Sequence, residues 1–159
     1  MHNKYFKLFT FIDTFNKKEI LNFDINLGII LRNYKNSFTI KKLTEIKNFC
    51  KKSGRKIYLA NDLKFAISCG FDGVYLPSFN KNLNFHNYSK RKSFSIIGSA
   101  HNIQEIKIKE KQNVELIFIS PLFHTKNYQK YLGVCKFNFL SLNTNKKVIA
   151  LGGLRKNNI

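Results

Sequence analysis

Short apolar runs alternate along this chain with segments whose apolar residues recur at helical spacing. Leu8 to Ile12 reads as a first strand, and Thr14 to Leu21 as a short helix with Thr14 in the capping position. Asn26 to Leu31 is a second strand. From Thr39 the periodicity is clearer, because Ile40, Leu43, Ile46 and Phe49-Cys50 fall on one helical face with lysines between, and Gly54 stops the helix. Lys56 to Ala60 is a third strand, after which Asp62 caps a short helix through Cys69 that Gly70 ends. Gly73 to Leu76 is a fourth strand, closed by Pro77. Residues 79–93 are rich in Asn, Lys and Ser, have no clear period, and read as a loop or a frayed helix. Phe94 to Ile97 is a fifth strand, and Asn102 caps a helix through Lys111. Val114 to Ile119 is continuously apolar, as a strand covered on both faces should be. A long loop from Pro121 to Leu132 leads to a weak helix, Val134 to Leu142. A seventh strand, Val148 to Leu151, runs into Gly152-Gly153.

Strands alternating with helices imply parallel βα units joined by right-handed crossovers. Seven strands suit either a doubly wound sheet or most of a (βα)8 barrel. Gly152-Gly153 lacks the spacing of a dinucleotide fingerprint, and no P-loop lysine motif occurs.

With 159 residues the chain reads as one domain, 1–159, long enough to bury a core. No apolar run reaches the ~18 residues that span a membrane. Lys4 and Lys7 precede an apolar stretch, but Asp13 ends it early and no small-residue cleavage site follows, so a strand is expected there rather than a leader. Cys50, Cys69 and Cys135 form no CxxC pair and have no histidine at metal spacing, which suits reduced thiols in the cytoplasm.

The formal net charge of +19 is the most unusual feature. Lysines are spread along the chain and accompany abundant Asn, Ile and Phe, as biased base composition would produce, with Lys on solvated helix faces. Anionic small molecules are the second reading of the charge. No nucleic-acid-binding signature accompanies it, so a nucleic-acid partner is not expected.

In parallel α/β folds, chemistry gathers where strands end. Those ends carry Asp13; Arg32 with Lys35; Asn61-Asp62; Pro77-Ser78; Ser99-Ala100-His101; Ser120-Pro121 with Thr125 and Lys126; and Gly152-Gly153. Arg32, Lys35 and Lys126 suit phosphate, the Ser99 and Thr125 hydroxyls and the glycine backbone could add donors, and His101 could move a proton near neutral pH. Each has a plainer explanation beside this one. Arg32 could be a solvated or paired residue, Asp62 a helix cap, His101 the flank of a cap, and Gly152-Gly153 a tight turn.

At these ends the sequence resembles the thiamine-phosphate synthase and thiazole tautomerase (TenI-type) superfamily. The matching stretches are Leu8–Asp13, Leu27–Arg32, Leu59–Asp62, Gly70–Leu76 ("GFDGVYL"), Ile96–Asn102 ("IIGSAHN"), Ile119–Thr125 ("ISPLFHT") and Ile149–Leu154 ("IALGGL"), in family order. The resemblance implies a (βα)8 TIM-type barrel, here truncated after strand seven. It implies an enzyme of thiamine biosynthesis that joins a pyrimidine pyrophosphate to a thiazole phosphate with Mg2+ and releases pyrophosphate. By the same resemblance Arg32 holds the pyrimidine substrate's pyrophosphate, and Asn61 and Asp62 match a strand-three pair whose Asp binds Mg2+. Ser99 matches a phosphate-contacting serine and Thr125 matches the strand-six-loop threonine, which makes Asn61 and Thr125 substrate-binding candidates and Ser99 a catalytic candidate beside His101. Gly152-Gly153 forms the thiazole-phosphate turn, and His101 has an acid–base role in the tautomerases. The second magnesium carboxylate, expected after strand four, is replaced by Pro77-Ser78-Phe79-Asn80, and the loop lysine falls on Tyr128, with Lys126 or Lys130 as substitutes. A metal-independent tautomerase and a non-catalytic phosphate-ligand-binding relative therefore stand beside the synthase. With an eighth strand missing, the chain could be a fragment or pair with a second copy as a homo-oligomer.

Overall fold

The structure, a computed structural model, describes residues 8–34, 38–84, 91–125 and 130–155. Strands and helices alternate almost throughout. The order is β1 (Phe9–Ile12), α1 (Lys17–Asn22), β2 (Gly28–Leu31), α2 (Ile40–Lys52), β3 (Ile57–Ala60), α3 (Leu63–Ser68) and β4 (Gly73–Leu76). It continues with β5 (Ser95–Ala100), α4 (Ile103–Lys111), β6 (Leu116–Ile119), α5 (Gly133–Leu142) and β7 (Lys147–Ala150). The chain groups into two compact units, one of Met1–Tyr75 with Asn87–Ser95 and the other of Leu76–His86 with Ile96–Ile159.

In the first unit the strand order is β1-β2-β3-β4, and every pair is parallel. In the second it is β5-β6-β7, again parallel. Sequential order without a reversal is that of a βα barrel; a doubly wound sheet would reverse direction at a switch point. Within each unit the strand order is therefore the barrel type rather than the doubly wound one.

The helices start and stop where local chemistry dictates. Thr39 caps α2 by accepting from Lys42 N–H at 3.3 Å, and Leu43, Ile46 and Cys50 are its buried face. Asp62 caps α3 and Asn102 caps α4, as expected. Thr14 does not cap α1. Asn16 does, because its amide oxygen reaches both Lys18 N–H at 3.0 Å and Glu19 N–H at 3.3 Å. Gly54 and Gly70, with φ of +71° and +73°, end α2 and the turn after α3. Cys50 and Cys69 are buried, the latter at the C-cap of α3, and Cys135 is exposed. The fifth strand runs on to Ala100, three residues past its expected end, because its backbone continues to pair with β6 through Ala100↔Ile119.

Strands β2, β3, β4 and β6 are buried along their whole length, which explains their unbroken apolar sequences. Part of the "FDGVYL" stretch proves architectural. Phe71 is fully buried, the Asp72 carboxylate accepts from Ile57 N–H at 3.0 Å, and Gly73 leaves room for the Tyr58 ring, which a Cβ would meet at 2.7 Å. Asp72 thus pins the start of β3 to the start of β4. Among the described residues no helix is long and apolar enough to cross a membrane.

Candidate active site at the strand ends

In the first unit the ends of β1 and β2 bring Asp13 and Arg32 together. Arg32 Nη2 contacts Asp13 Oδ2 at 2.5 Å, and the guanidinium lies 5.4 Å from the Phe11 ring centroid. The Arg32 backbone N–H donates to Ile12 carbonyl at 2.8 Å, which fixes where the side chain leaves β2. Both side chains are partly exposed, so the ion pair itself contributes at most about 1 kcal/mol. The Arg32 Nε is different, because it is buried and has no hydrogen-bond partner among the described residues. A buried donor without an acceptor is costly, so an oxygen-rich anion at this strand end would be well received.

At the end of β3, Asn61 adopts a left-handed backbone, φ +64°, and its N–H donates to Tyr75 carbonyl on β4 at 2.7 Å. Asparagine tolerates that conformation better than most residues. Asp62 follows, half-buried, with Oδ1 accepting from Phe65 N–H at 2.9 Å. Lys35 lies outside the described residues.

In the second unit His101 stands just past β5. Its Nδ1 lies 2.5 Å from Ser120 carbonyl oxygen and 3.3 Å from Ser120 Oγ. A carbonyl only accepts, so Nδ1 carries the hydrogen and neutral His101 presents Nε2 as a bare acceptor. The backbone on either side is held by a variant of the capping box. Asn102 Oδ1 accepts from Glu105 N–H at 2.9 Å, while the Glu105 carboxylate accepts from His101 N–H at 2.7 Å. Glu105, which helps orient this histidine, is absent from the strand-end residues; Ser120 stands among them, but not as a partner of His101. The Asn102-x-x-Glu105 spacing was the available signal for Glu105. The Ser120 contact spans nineteen residues and had none.

Ser99 is buried inside β5, opposite Phe118 on β6. Thr125 is half-buried in the loop after β6, and Lys126 lies outside the described residues. That loop is laced to the end of β7. Leu122 N–H donates to Leu151 carbonyl at 2.8 Å, and Phe123 N–H to Gly152 carbonyl at 3.0 Å. Gly152 and Gly153 have φ of +93° and +71°, and a Cβ on Gly153 would lie 2.6 Å from His124 carbonyl oxygen. The double glycine is therefore required by this close backbone approach, whatever else it binds.

Asp62 already commits one oxygen to a helix cap, the segment after β4 has no carboxylate, and among the described residues no three His, Cys, Asp or Glu side chains gather as metal ligands. These residues do not fit a magnesium ion held by the protein alone.

The first unit thus offers a guanidinium and an asparagine–aspartate pair, and the second an imidazole, hydroxyls and a double glycine, at or beside the ends of parallel strands, where βα-barrel proteins carry their ligand groups. The comparison with known proteins gives the class its family. The thiamine monophosphate synthase family matches residues 22–159, and the chain belongs to it. A thiamine-phosphate synthase of Prochlorococcus marinus is 34% identical over 127 residues, covering 76% of this chain and 35% of that protein. The chain thus spans about a third of that relative's length. Among solved structures, a thiamine phosphate pyrophosphorylase from Pyrococcus furiosus superposes with a TM-score of 0.70 at 16% identity, over 98% of this chain and 79% of that one. A citrate synthase, SbnG, reaches the same TM-score of 0.70 at 9% identity, over 98% and 81%. At such low identity both likenesses describe the fold.

Proposed function

We propose that the chain carries the site of a thiamine-phosphate synthase of thiamine biosynthesis, which takes a pyrimidine methyl pyrophosphate and a thiazole phosphate. The observation that carries this reading is Arg32, a strand-end guanidinium with a buried donor lacking an acceptor among the described residues and an exposed, exchangeable carboxylate partner. In the reaction the methylene–oxygen bond breaks, pyrophosphate leaves with the electron pair, and the thiazole nitrogen lone pair forms the new carbon–nitrogen bond. Arg32 would take the pyrophosphate oxygens, with Lys35 and Asn61 beside the same substrate. Ser99, Thr125, Lys126 and the Gly152-Gly153 turn would serve the thiazole phosphate. Fixed positive charge at Arg32 would stabilise the leaving anion. Magnesium, brought by the substrate, would neutralise pyrophosphate charge, and by sequence resemblance Asp62 would be the protein carboxylate to meet it. The test is direct: purified protein, both substrates and Mg2+, with thiamine phosphate followed by chromatography. Product formation that Arg32→Ala lowers by at least tenfold supports the reading, and no product from the intact protein defeats it.

One observation favours a second reading. His101, with Nδ1–H committed to Ser120 carbonyl, holds Nε2 ready to accept a proton, as a thiazole tautomerase would need. Tautomer interconversion that survives His101→Ala unchanged would remove this alternative.

A further inference from the structure

Lys109 lies in α4 between two other lysines, yet it is wholly buried. Its ammonium has three N–H donors, and each finds an oxygen. They are Pro77 carbonyl at 2.8 Å, Asn80 carbonyl at 2.8 Å and Gln112 Oε1 at 2.9 Å. None of the three acceptors carries charge. Gln112, itself buried, adds donors from Nε2 to Asn80 carbonyl at 3.0 Å, Asn80 Oδ1 at 3.2 Å and Asn82 carbonyl at 2.8 Å. Two side chains from one helix therefore hold the segment that leaves the C-terminal end of β4. Space for the lysine stem is reserved on β5. A Cβ on Gly98 would lie 2.9 Å from Lys109 Cδ and 3.0 Å from Leu76 carbonyl oxygen.

Burying an ammonium is expensive, and packing does not need one. A methionine would fill the same space without the cost. Nor do the carbonyls depend on it, since Pro77 carbonyl also accepts from Asn80 N–H at 3.0 Å and Asn80 carbonyl keeps Gln112. What the charge adds is three charge-assisted bonds that fix a segment rich in Asn, with Phe79 and Leu83 exposed. That segment contains Ser78, half-buried just beyond the strand, where βα folds place their ligand groups.

We propose that Lys109 is a positioning residue: it is the fixed internal cation around which the β4 loop, Pro77–Asn82, is built, so that Ser78 and the loop backbone are presented to an anionic group of the ligand. This rests on the phosphate-ligand reading of the strand ends for the ligand, but not for the clamp itself.

The two parts are tested separately, on the full chain at neutral pH. Hydrogen exchange reads the clamp through the loop amides of Asn80, Asn82 and Asn84, each of which donates within the loop. Calorimetric titration with inorganic pyrophosphate reads the presentation. In Lys109→Met the loop amides should exchange about tenfold faster, the β6 and α2 amides should not change, and pyrophosphate should bind about fivefold more weakly. The unfolding midpoint should hold or rise, and this split of binding from stability is what a purely structural lysine would not produce. Gln112→Ala, which keeps the ammonium but removes one acceptor and the second anchor, should loosen the same amides and serves if the first variant does not fold. Unchanged loop exchange in both variants overturns the clamp. Faster loop exchange with unchanged pyrophosphate affinity overturns the positioning role. If the intact protein binds no pyrophosphate, the phosphate-ligand reading and the presentation by Ser78 fall together, while the exchange data still decide the clamp.

Discussion

The buried Lys109 ammonium makes a signed prediction about stability and pH. Burial pushes its pKa from 10.5 down to about 8, and the Glu105 carboxylate pulls weakly the other way. That drop corresponds to roughly 3 kcal/mol of differential interaction. Between pH 8 and 10.5 the unfolded chain keeps this proton while the folded chain gives it up, so the unfolded state binds more protons and stability rises with pH. Lys109's contribution is thus fully present above about 10.5 and is lost as pH falls through about 8. The chain carries many other lysines, so the measurement is a difference. Urea unfolding of the intact protein and of Lys109→Met, followed by circular dichroism from about pH 7 to 10.5, isolates the single group. The difference should move toward the intact protein by about 3 kcal/mol across that range. Over the same range the loop should behave oppositely. A neutral amine has two donors for three oxygens, so exchange of the Asn80 and Asn82 amides, corrected for intrinsic rate, should quicken while the whole protein gains stability. A flat or falling stability difference would show that the three hydrogen bonds outweigh burial, and would refute the reasoning.

Three other outcomes are expected. Leu43→Ala, at a fully buried position of α2, should cost about 2–5 kcal/mol in urea unfolding, whereas Leu142→Ala, exposed on α5, should change stability by less than about 0.5 kcal/mol. Gly153→Ala forces a side chain onto His124 carbonyl at positive φ, and should cost about 1–3 kcal/mol and weaken thiazole-phosphate binding in a thermal-shift titration. Asp13→Asn removes the carboxylate that occupies Arg32, so pyrophosphate should bind more tightly by about two- to fivefold, an effect that shrinks at high salt; weaker binding would mean that Asp13 holds Arg32 in its binding posture.

Much of the candidate site was legible in order of appearance. Arg32, Asn61-Asp62, His101 and Gly152-Gly153 do stand where strands end, because the end of a strand is a local property of the apolar run before it. Their tasks were less legible. The helix caps at Asp62 and Asn102 were legible from spacing, whereas nothing in the sequence showed that Gly152-Gly153 makes room for the backbone of Phe123 and His124. That close approach depends on tertiary structure, because the backbone it accommodates lies on a segment remote in sequence.

The sequence by itself determined the alternation of strands and helices, most of their boundaries and the parallel βα class, since periodicity, caps and glycine stops act over a few residues. Tertiary structure alone decided which capping candidate serves α1, how far β5 extends, and which atoms meet at the strand ends. It alone decided that one lysine among many is buried. Lys107, Lys109 and Lys111 are the same residue at near-identical spacing on α4, and a lysine-rich helix reads as a solvated face. Lys109 is the exception because that turn of α4 faces Gly98 and the β4 loop, where three uncharged oxygens converge on its nitrogen. Burial and the convergence of partners depend on distances between segments far apart in the chain, and pattern along the chain carries no such distances.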